Sequence, residues 1–284
     1  MQIADDQIRT SEVRNWKGIH LLHFSDSSCS QKVRILLREK QIPWESHPVD
    51  LARQKHVTPW FLGINPRGVV PVLVHDGVVH VESNDILEYL DDRLPSPAEP
   101  YLPQTDPERS IARESLDLED SLHMELRTIT MGFLFPASLV AKSPKTLERY
   151  ANQGASDPKR DKEIAWWRRF AEIGIPDDEA RAAAEAFGGA FARLDARLAE
   201  APWLLGERIS LLEIAWFISV HRLALAGYPL ERHSRLCAHY ETLRTRPAFA
   251  AEAAGAFVTG SFIRAYRAYR RLRGTTLRDV MVAA

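Results

Sequence analysis

The sequence predicts a small α/β domain followed by a larger all-helical one. Three observations carry this. Strand-like apolar runs, a helix-period segment and an Asp-Gly hairpin signal all fall within about the first ninety residues. Pro95, Pro97, Pro100, Pro103 and Pro107 then crowd a stretch that reads as a linker. Beyond it strand signals stop and helical patterns take over. The length of 284 residues suits about two domains. The boundaries are drawn as an arm at 1–18, an α/β domain at 19–103, a helical domain at 104–273 and a tail at 274–284.

Residues 1–17 are polar and mixed in charge, without the apolar middle of a signal peptide. They are expected to be disordered or loosely docked. Residues 19–24 read as a short strand, 25–30 as a polar loop, and 32–40 as a helix with Val33, Leu36 and Leu37 at helical spacing. Strand, loop and helix open a βαβ unit. Trp44 to Asp50 is the candidate second strand, with Pro43 and Pro48 limiting its pairing. Val69 to Val74 and Val78 to Val81 flank His75-Asp76-Gly77, a strong hairpin signal. Ser83 is placed to cap a helix that sets Ile86, Leu87, Leu90 and Leu94 on one face.

Past the linker, Glu108 to Leu126 reads as one long helix, residues 142–162 as a polar loop or lid, and Ala180 to Ala199 as a helix. Ser210-Leu211-Leu212-Glu213 is a capping box, and the helix it opens is apolar nearly all round, hence buried.

Composition excludes several classes. Lys plus Arg number 37 against 38 Asp plus Glu, so a basic nucleic-acid-binding surface is not expected. Cys29 and Cys237 are too few for a disulfide scaffold or a four-cysteine zinc site, and suit a reduced, cytoplasmic setting. No run reaches the length of a membrane-spanning helix. Phosphate-loop, His-Glu-x-x-His and Gly-x-Ser-x-Gly motifs are absent.

Four motifs then carry a resemblance. Ser27-Ser28-Cys29-Ser30-Gln31-Lys32-Val33-Arg34-Ile35 resembles the Ser-Ser-Cys loop of zeta-class glutathione transferases. Asn65-Pro66-Arg67-Gly68-Val69-Val70-Pro71 resembles the superfamily's approach to its cis-proline. Glu82-Ser83 with Ile86-Leu87-Glu88-Tyr89-Leu90 resembles its glutamyl-binding turn, and Leu205-Gly206 through Ser210 to Glu213 its capping box. In this order and spacing they identify the chain as resembling the glutathione S-transferase superfamily, which implies a thioredoxin-like N-terminal domain followed by an all-helical C-terminal domain. The long helical domain, with its Trp166-Trp167-Arg168-Arg169 segment, also resembles bacterial transferases acting on lignin ethers or chlorinated aromatics, and the ganglioside-differentiation-associated family.

The resemblance implies glutathione as co-substrate, a small hydrophobic electrophile, and a homodimer. Glutathione reacts as a thiolate. Lowering a thiol pKa from ~8.5 by about two pH units takes roughly 2.7 kcal/mol. A hydroxyl donating to the thiolate supplies roughly 1.5–3 kcal/mol, and a helix N-terminus roughly 0.3–1 kcal/mol; no metal is required. By family position Ser27 is the hydroxyl, with Ser28 its possible substitute. Cys29 matches the cysteine of glutathione-dependent dehalogenases, which forms a mixed disulfide with glutathione. Each can instead be a loop residue bonded to its own backbone, and Cys29 a small buried hydrophobe.

The resemblance implies a cis Val70–Pro71 bond that exposes the Val70 backbone to the cysteinyl part of glutathione. It places Ser83 on the γ-glutamyl carboxylate, Glu82 on the α-amino group and His56 on the glycine carboxylate, with Lys55 and Arg67 as weaker candidates. The helical domain is expected to wall the electrophile pocket, through 131–135 and 166–169. The expected activity is addition of the glutathione thiolate to a hydrophobic electrophile. The alternatives are a dehalogenase or ether-cleaving enzyme using Cys29, and a non-catalytic glutathione-binding protein.

Overall fold

The structure, a computed structural model, describes residues 1–94, 100–152, 158–255 and 257–282. Down the chain run β1 (Ile19–His23), α1 (Ser28–Glu39), β2 (Glu45–Pro48), α2 (Pro59–Leu62), β3 (Val72–His75), β4 (Val78–His80) and α3 (Ser83–Arg93). Helices follow: α4 (Asp106–Ser121), α5 (His123–Phe133), α6 (Ala137–Val140), α7 (Pro144–Asn152), α8 (Pro158–Ile173) and α9 (Asp177–Glu200). The last are α10 (Leu211–Ala226), α11 (Ser234–Arg244), α12 (Pro247–Ala253), α13 (Phe257–Arg273) and α14 (Leu277–Val282). Two compact units emerge, one of residues 1–97 and 141–172, the other of 98–140 and 173–284. The linker prolines Pro95 and Pro97 lie outside the described residues.

The first unit holds a four-stranded sheet in the order β2-β1-β3-β4. β2 runs parallel to β1, while β3 is antiparallel to both β1 and β4. Asp76 and Gly77 take φ of 48° and 85°, the pair of positive values that closes a two-residue hairpin between right-twisted strands. Gly77 has a second reason to be glycine: a Cβ there would stand 2.4 Å from the Arg14 carbonyl.

That contact belongs to the arm, which is not loose. The Ile3 amide bonds the Val79 carbonyl at 2.9 Å and the Val81 amide bonds the Met1 carbonyl at 2.9 Å. Ile3, Ile8 and Val13 are buried in one core with Leu22, Val72, Val74 and Val79. The arm therefore extends the sheet's β4 edge and covers one sheet face.

α1 begins earlier than the sequence suggests. Ser27 is its N-cap, accepting from the Ser30 amide at 3.2 Å, so Ser28, Cys29 and Ser30 form the first helical turn rather than a loop. At α3 the N-cap is Glu82, with φ 64° and no side-chain cap bond, and Ser83 is the first helical residue. The expected Ser83 cap is thus replaced by a backbone kink one residue earlier. Residues 144–152 and 158–162 are helical, not a loop; Asn152 ends α7, while Gly154 and Asp157 lie outside the described residues. Leu147, Tyr150, Ile164 and Trp167 are buried by these helices, which is what orders them.

In the second unit α10 is the centre. Its residues from Leu211 to Val220 are all buried, and it packs against α4, α5, α11 and α12. Ser210 accepts from the Leu212 amide at 3.2 Å, while Glu213 accepts from the Ser210 amide at 2.7 Å. The second Glu213 oxygen accepts from the Leu204 amide at 2.6 Å. Gly227, at φ 98°, ends the helix. The predicted helix at 108–126 breaks at Leu122 into α4 and α5. The tail is docked too: Leu277 and Val280 are buried, and α14 packs on α9.

Candidate functional site

Sheet register gathers three of the predicted motifs at one end of the first unit. Leu22 pairs with Val72, so Phe24 to Ser27 leave β1 beside the incoming Val70 and Pro71. Leu73 pairs with His80, so Glu82 and Ser83 leave β4 at the same end. The Val70–Pro71 bond is cis. Pro71 has no N–H for the ladder, and β3 starts only at Val72.

At the first motif, Ser27, Ser28 and Cys29 are all half-buried. Accepting the Ser30 amide uses a lone pair of Ser27 Oγ and leaves its hydroxyl hydrogen for another acceptor. Ser28 and Cys29 are the first two helical residues, at the positive end of the α1 dipole. Donor hydroxyl and positive helix end thus coincide, an arrangement that favours a bound anion. Neither Cys29 nor Cys237 is in a disulfide.

Two cations in α1 support this turn and were not foreseen as site residues. Arg34 donates through Nη2 to the Ser25 carbonyl at 2.7 Å and through Nη1 to the Phe24 carbonyl at 3.0 Å, holding the loop before Ser27. Lys32, almost fully buried, donates to Asn84 Oδ1 at 2.9 Å and ties α1 to the start of α3. Their signal in the sequence is two cations, Lys32 and Arg34, that flank Val33 just before the apolar run Ile35-Leu36-Leu37.

At the third motif Ser83 is buried in the first turn of α3, where helix amides favour a carboxylate. The Glu82 carboxylate is ion-paired with Arg67, and Lys159 lies 3.6 Å from its second oxygen. Arg67, a weaker candidate from sequence, therefore positions Glu82.

His56 sits in a single 3-10 turn, Lys55–Val57, on another element of the same unit. Its ring is buried edge-on to Tyr150 at 5.7 Å between centroids, and Nδ1 has no hydrogen-bond partner. Burial, reinforced by the Lys142 cation, pushes its pKa down to about 4. At neutral pH it is an uncharged imidazole. The His56 carbonyl abuts Gly68, where a Cβ would lie 3.1 Å away, so its backbone, at least, touches the loop leading to Val70.

The aromatic stretches are core. Trp166 stacks on Phe170 at 5.1 Å and Trp167 meets both edge-on. Both tryptophans are buried in the first unit, not in the helical unit. Phe133 is buried beneath the Arg270 guanidinium at 4.3 Å. Among the described residues, His20, Glu45 and His47 form a group whose ligand atoms lie within 4.8 Å of one another. No described helix is long and apolar enough to cross a membrane.

Comparison with known proteins agrees with this arrangement. The glutathione S-transferase N-terminal domain matches residues 26–93, and the glutathione S-transferase C-terminal domain residues 177–251. The chain belongs to the glutathione S-transferase family. LigF from Sphingobium sp. (strain NBRC 103272 / SYK-6) is 29% identical over 238 residues, 81% of this chain and 91% of LigF. The crystal structure of beta-etherase LigF aligns at a TM-score of 0.71 and 28% identity, covering 82% of this chain and 98% of that one. A theta-class transferase from Xanthomonas axonopodis pv. citri, solved with glutathione bound, aligns at 0.62 and 26% identity over 84% of this chain and 98% of its own. Glutathione S-transferase 1 of Dianthus caryophyllus is 37% identical over 113 residues, 40% of this chain; the match spans half of that relative's length.

Proposed function

We propose that the chain is a glutathione transferase that adds the glutathione thiolate to a small hydrophobic electrophile. The observation that carries the reading is the start of α1, where Ser27 caps the helix through a lone pair and keeps its hydroxyl hydrogen. In this reading the hydrogen is donated to the glutathione sulfur, and the α1 terminus adds its positive end. The Val70 backbone pairs with the cysteinyl unit, and the α3 terminus at Ser83 takes the glutamyl carboxylate. Glu82 takes the ammonium group, exchanging the Lys159 contact for it. His56 contributes as a neutral donor beside the glycine end. The thiolate then forms a carbon–sulfur bond as the electrophile accepts the electron pair or releases its leaving group.

Calorimetry with glutathione, followed by turnover of a panel of electrophiles, tests the proposal. Saturable binding with conjugate formation is expected; no binding at millimolar glutathione would overturn it.

The likeness to the beta-etherase LigF along most of its length supports a second reading, in which the electrophile is an ether and the leaving group its ether oxygen. Here too glutathione is the nucleophile. Including ethers in the panel separates the two. A dimer in a cytoplasmic, detoxifying role follows from the family resemblance, and sedimentation at equilibrium checks the dimer.

A further inference from the structure

β1 and β2 place three ligand-type side chains on one face of the sheet edge. His20 lies opposite Glu45 in the parallel register, and His47 follows Glu45 by two residues, so all three project to the same side. His20 Nδ1 is 3.0 Å from His47 Nε2 and 3.4 Å from a Glu45 oxygen. His47 Nε2 is 3.6 Å from the other Glu45 oxygen. Bonds of roughly 2.0–2.2 Å to one tetrahedral ion set its ligand atoms about 3.3 Å apart. The two histidine nitrogens stand near that spacing, and the exposed Glu45 carboxylate, with one oxygen toward each ring, brings one ligand atom from each residue within 4.8 Å of the others.

The surroundings hold the donors in a ligating state. His20 Nε2 is 3.0 Å from the Lys17 carbonyl. A carbonyl only accepts, so Nε2 carries the proton and Nδ1 turns its lone pair into the cluster. A backbone carbonyl fixing the far nitrogen of an imidazole is the usual support of a ligating histidine. Trp16 stacks on His47 at 4.4 Å and lies against His20 at 4.6 Å, steadying both rings. His20 is nearly sealed from solvent, whereas the Glu45 side chain is 65% exposed and opens the cluster to water.

We propose that His20, Glu45 and His47 bind one divalent transition-metal ion of the zinc type, with the remaining position left to water. Two imidazoles and one carboxylate suit Zn2+ and its neighbours, while Ca2+ and Mg2+ seek oxygen ligands. Occupancy needs no net loss of protons. His47 moves its one ring proton from Nε2 to Nδ1, and its Nε2 lone pair joins that of His20. The site lies near the start of β1, apart from the Ser27 turn at the other end, and does not depend on the glutathione reading.

The experiment is titration of the untagged, chelator-treated chain with Zn2+ by calorimetry, and with Co2+ by visible absorption. One equivalent is expected to bind, with the intense absorption of four-coordinate Co2+ and no displacement by excess Mg2+ or Ca2+. H47A and E45A, at partly exposed positions that folding does not demand, are each expected to weaken Zn2+ binding more than tenfold. H123A, in the helical unit, is expected to leave it unchanged. Absence of stoichiometric binding, affinity retained in both H47A and E45A, or displacement by Mg2+ would each overturn the proposal.

Discussion

Lys40 Nζ lies 2.8 Å from Asp91 Oδ1, with both side chains out of solvent. The same ammonium donates to the Asp91 carbonyl at 3.2 Å. The pair joins the end of α1 to α3, the two helices whose starts carry Ser27 and Ser83. Breaking it strands a buried charge, which costs roughly 3–5 kcal/mol. Asp91→Ala should therefore lower the midpoint of urea unfolding sharply, whereas the double change to Lys40→Met with Asp91→Leu should recover much of the loss. Equal stability of wild type and Asp91→Ala would show that the pair contributes nothing.

Glu213 is wholly buried and accepts from the Leu204 amide, the Ser210 amide and the Ser210 hydroxyl. Glu213→Ala leaves two buried amides unpaired, each costing roughly 1–3 kcal/mol. The expected outcome is a lower melting temperature with an unchanged glutathione affinity in the protein that remains folded. Calorimetric melting alongside glutathione titration checks both halves.

Acid should destabilise the fold over a defined window. Burial pushes His221 down to about 4, with Arg222 and Arg244 adding to the effect, from an ordinary value of 6.5. The ring is instead held by Tyr240, whose hydroxyl lies 2.7 Å from Nδ1 and is itself pushed up to about 12 by burial. Between about pH 4 and 6.5 the unfolded chain binds the histidine proton and the fold does not. Stability is therefore full above about pH 6.5 and falls as pH drops towards 4, by up to about 1.4 kcal/mol per pH unit for such a group. His56 and His80, also lowered to about 4, act in the same direction. Denaturation curves measured across this range should slope accordingly, and His221→Gln should flatten the slope. A parallel slope in the variant would exclude His221 as a source.

Local chemistry was legible wherever a few adjacent residues determine the outcome. Asp76-Gly77 needs only its own φ values, and Ser210 with Glu213 only one helical turn. The four short motifs were equally self-contained. What was hidden depends on partners distant in the chain. Ile3, Ile8 and Val13 are spaced for neither strand nor helix, and gain meaning only when β3 and β4 offer them a face. Ser28 to Ser30 have a loop-like composition, yet one N-cap bond from Ser27 turns them into helix. Lys32 meets Asn84, and Gln54 meets Thr146, across separations no local pattern reports. The segment 142–162 is polar enough to suggest a lid until its Tyr150, together with Ile164 just beyond it, packs with Val57. His20 and His47 are neighbours only because β1 and β2 pair in one register.

The last prediction concerns which atom activates glutathione. If Ser27 donates to the thiolate, Ser27→Ala should raise the pKa of bound glutathione towards its solution value. The conjugation rate should fall about tenfold to a hundredfold at neutral pH, the equivalent of roughly 1.5–3 kcal/mol, and recover in part at alkaline pH. Losing the bond to the Ser30 amide should also cost about 1 kcal/mol of stability. Ser27→Asn can restore that cap without a hydroxyl, so it separates capping from catalysis: stability should return and the neutral-pH rate should not. Cys29 occupies the second helical position, one turn-residue beyond Ser28. It has no part in simple addition, so Cys29→Ala should conjugate nearly as wild type. A dehalogenase route demands the reverse: Cys29 attacks the glutathionyl sulfur of an intermediate, forms a mixed disulfide and releases reduced product. Without the thiol, a glutathionyl adduct of the substrate would accumulate and be seen by mass spectrometry. Conjugation lost in Cys29→Ala but intact in Ser27→Ala would transfer the chemistry from the hydroxyl to the thiol.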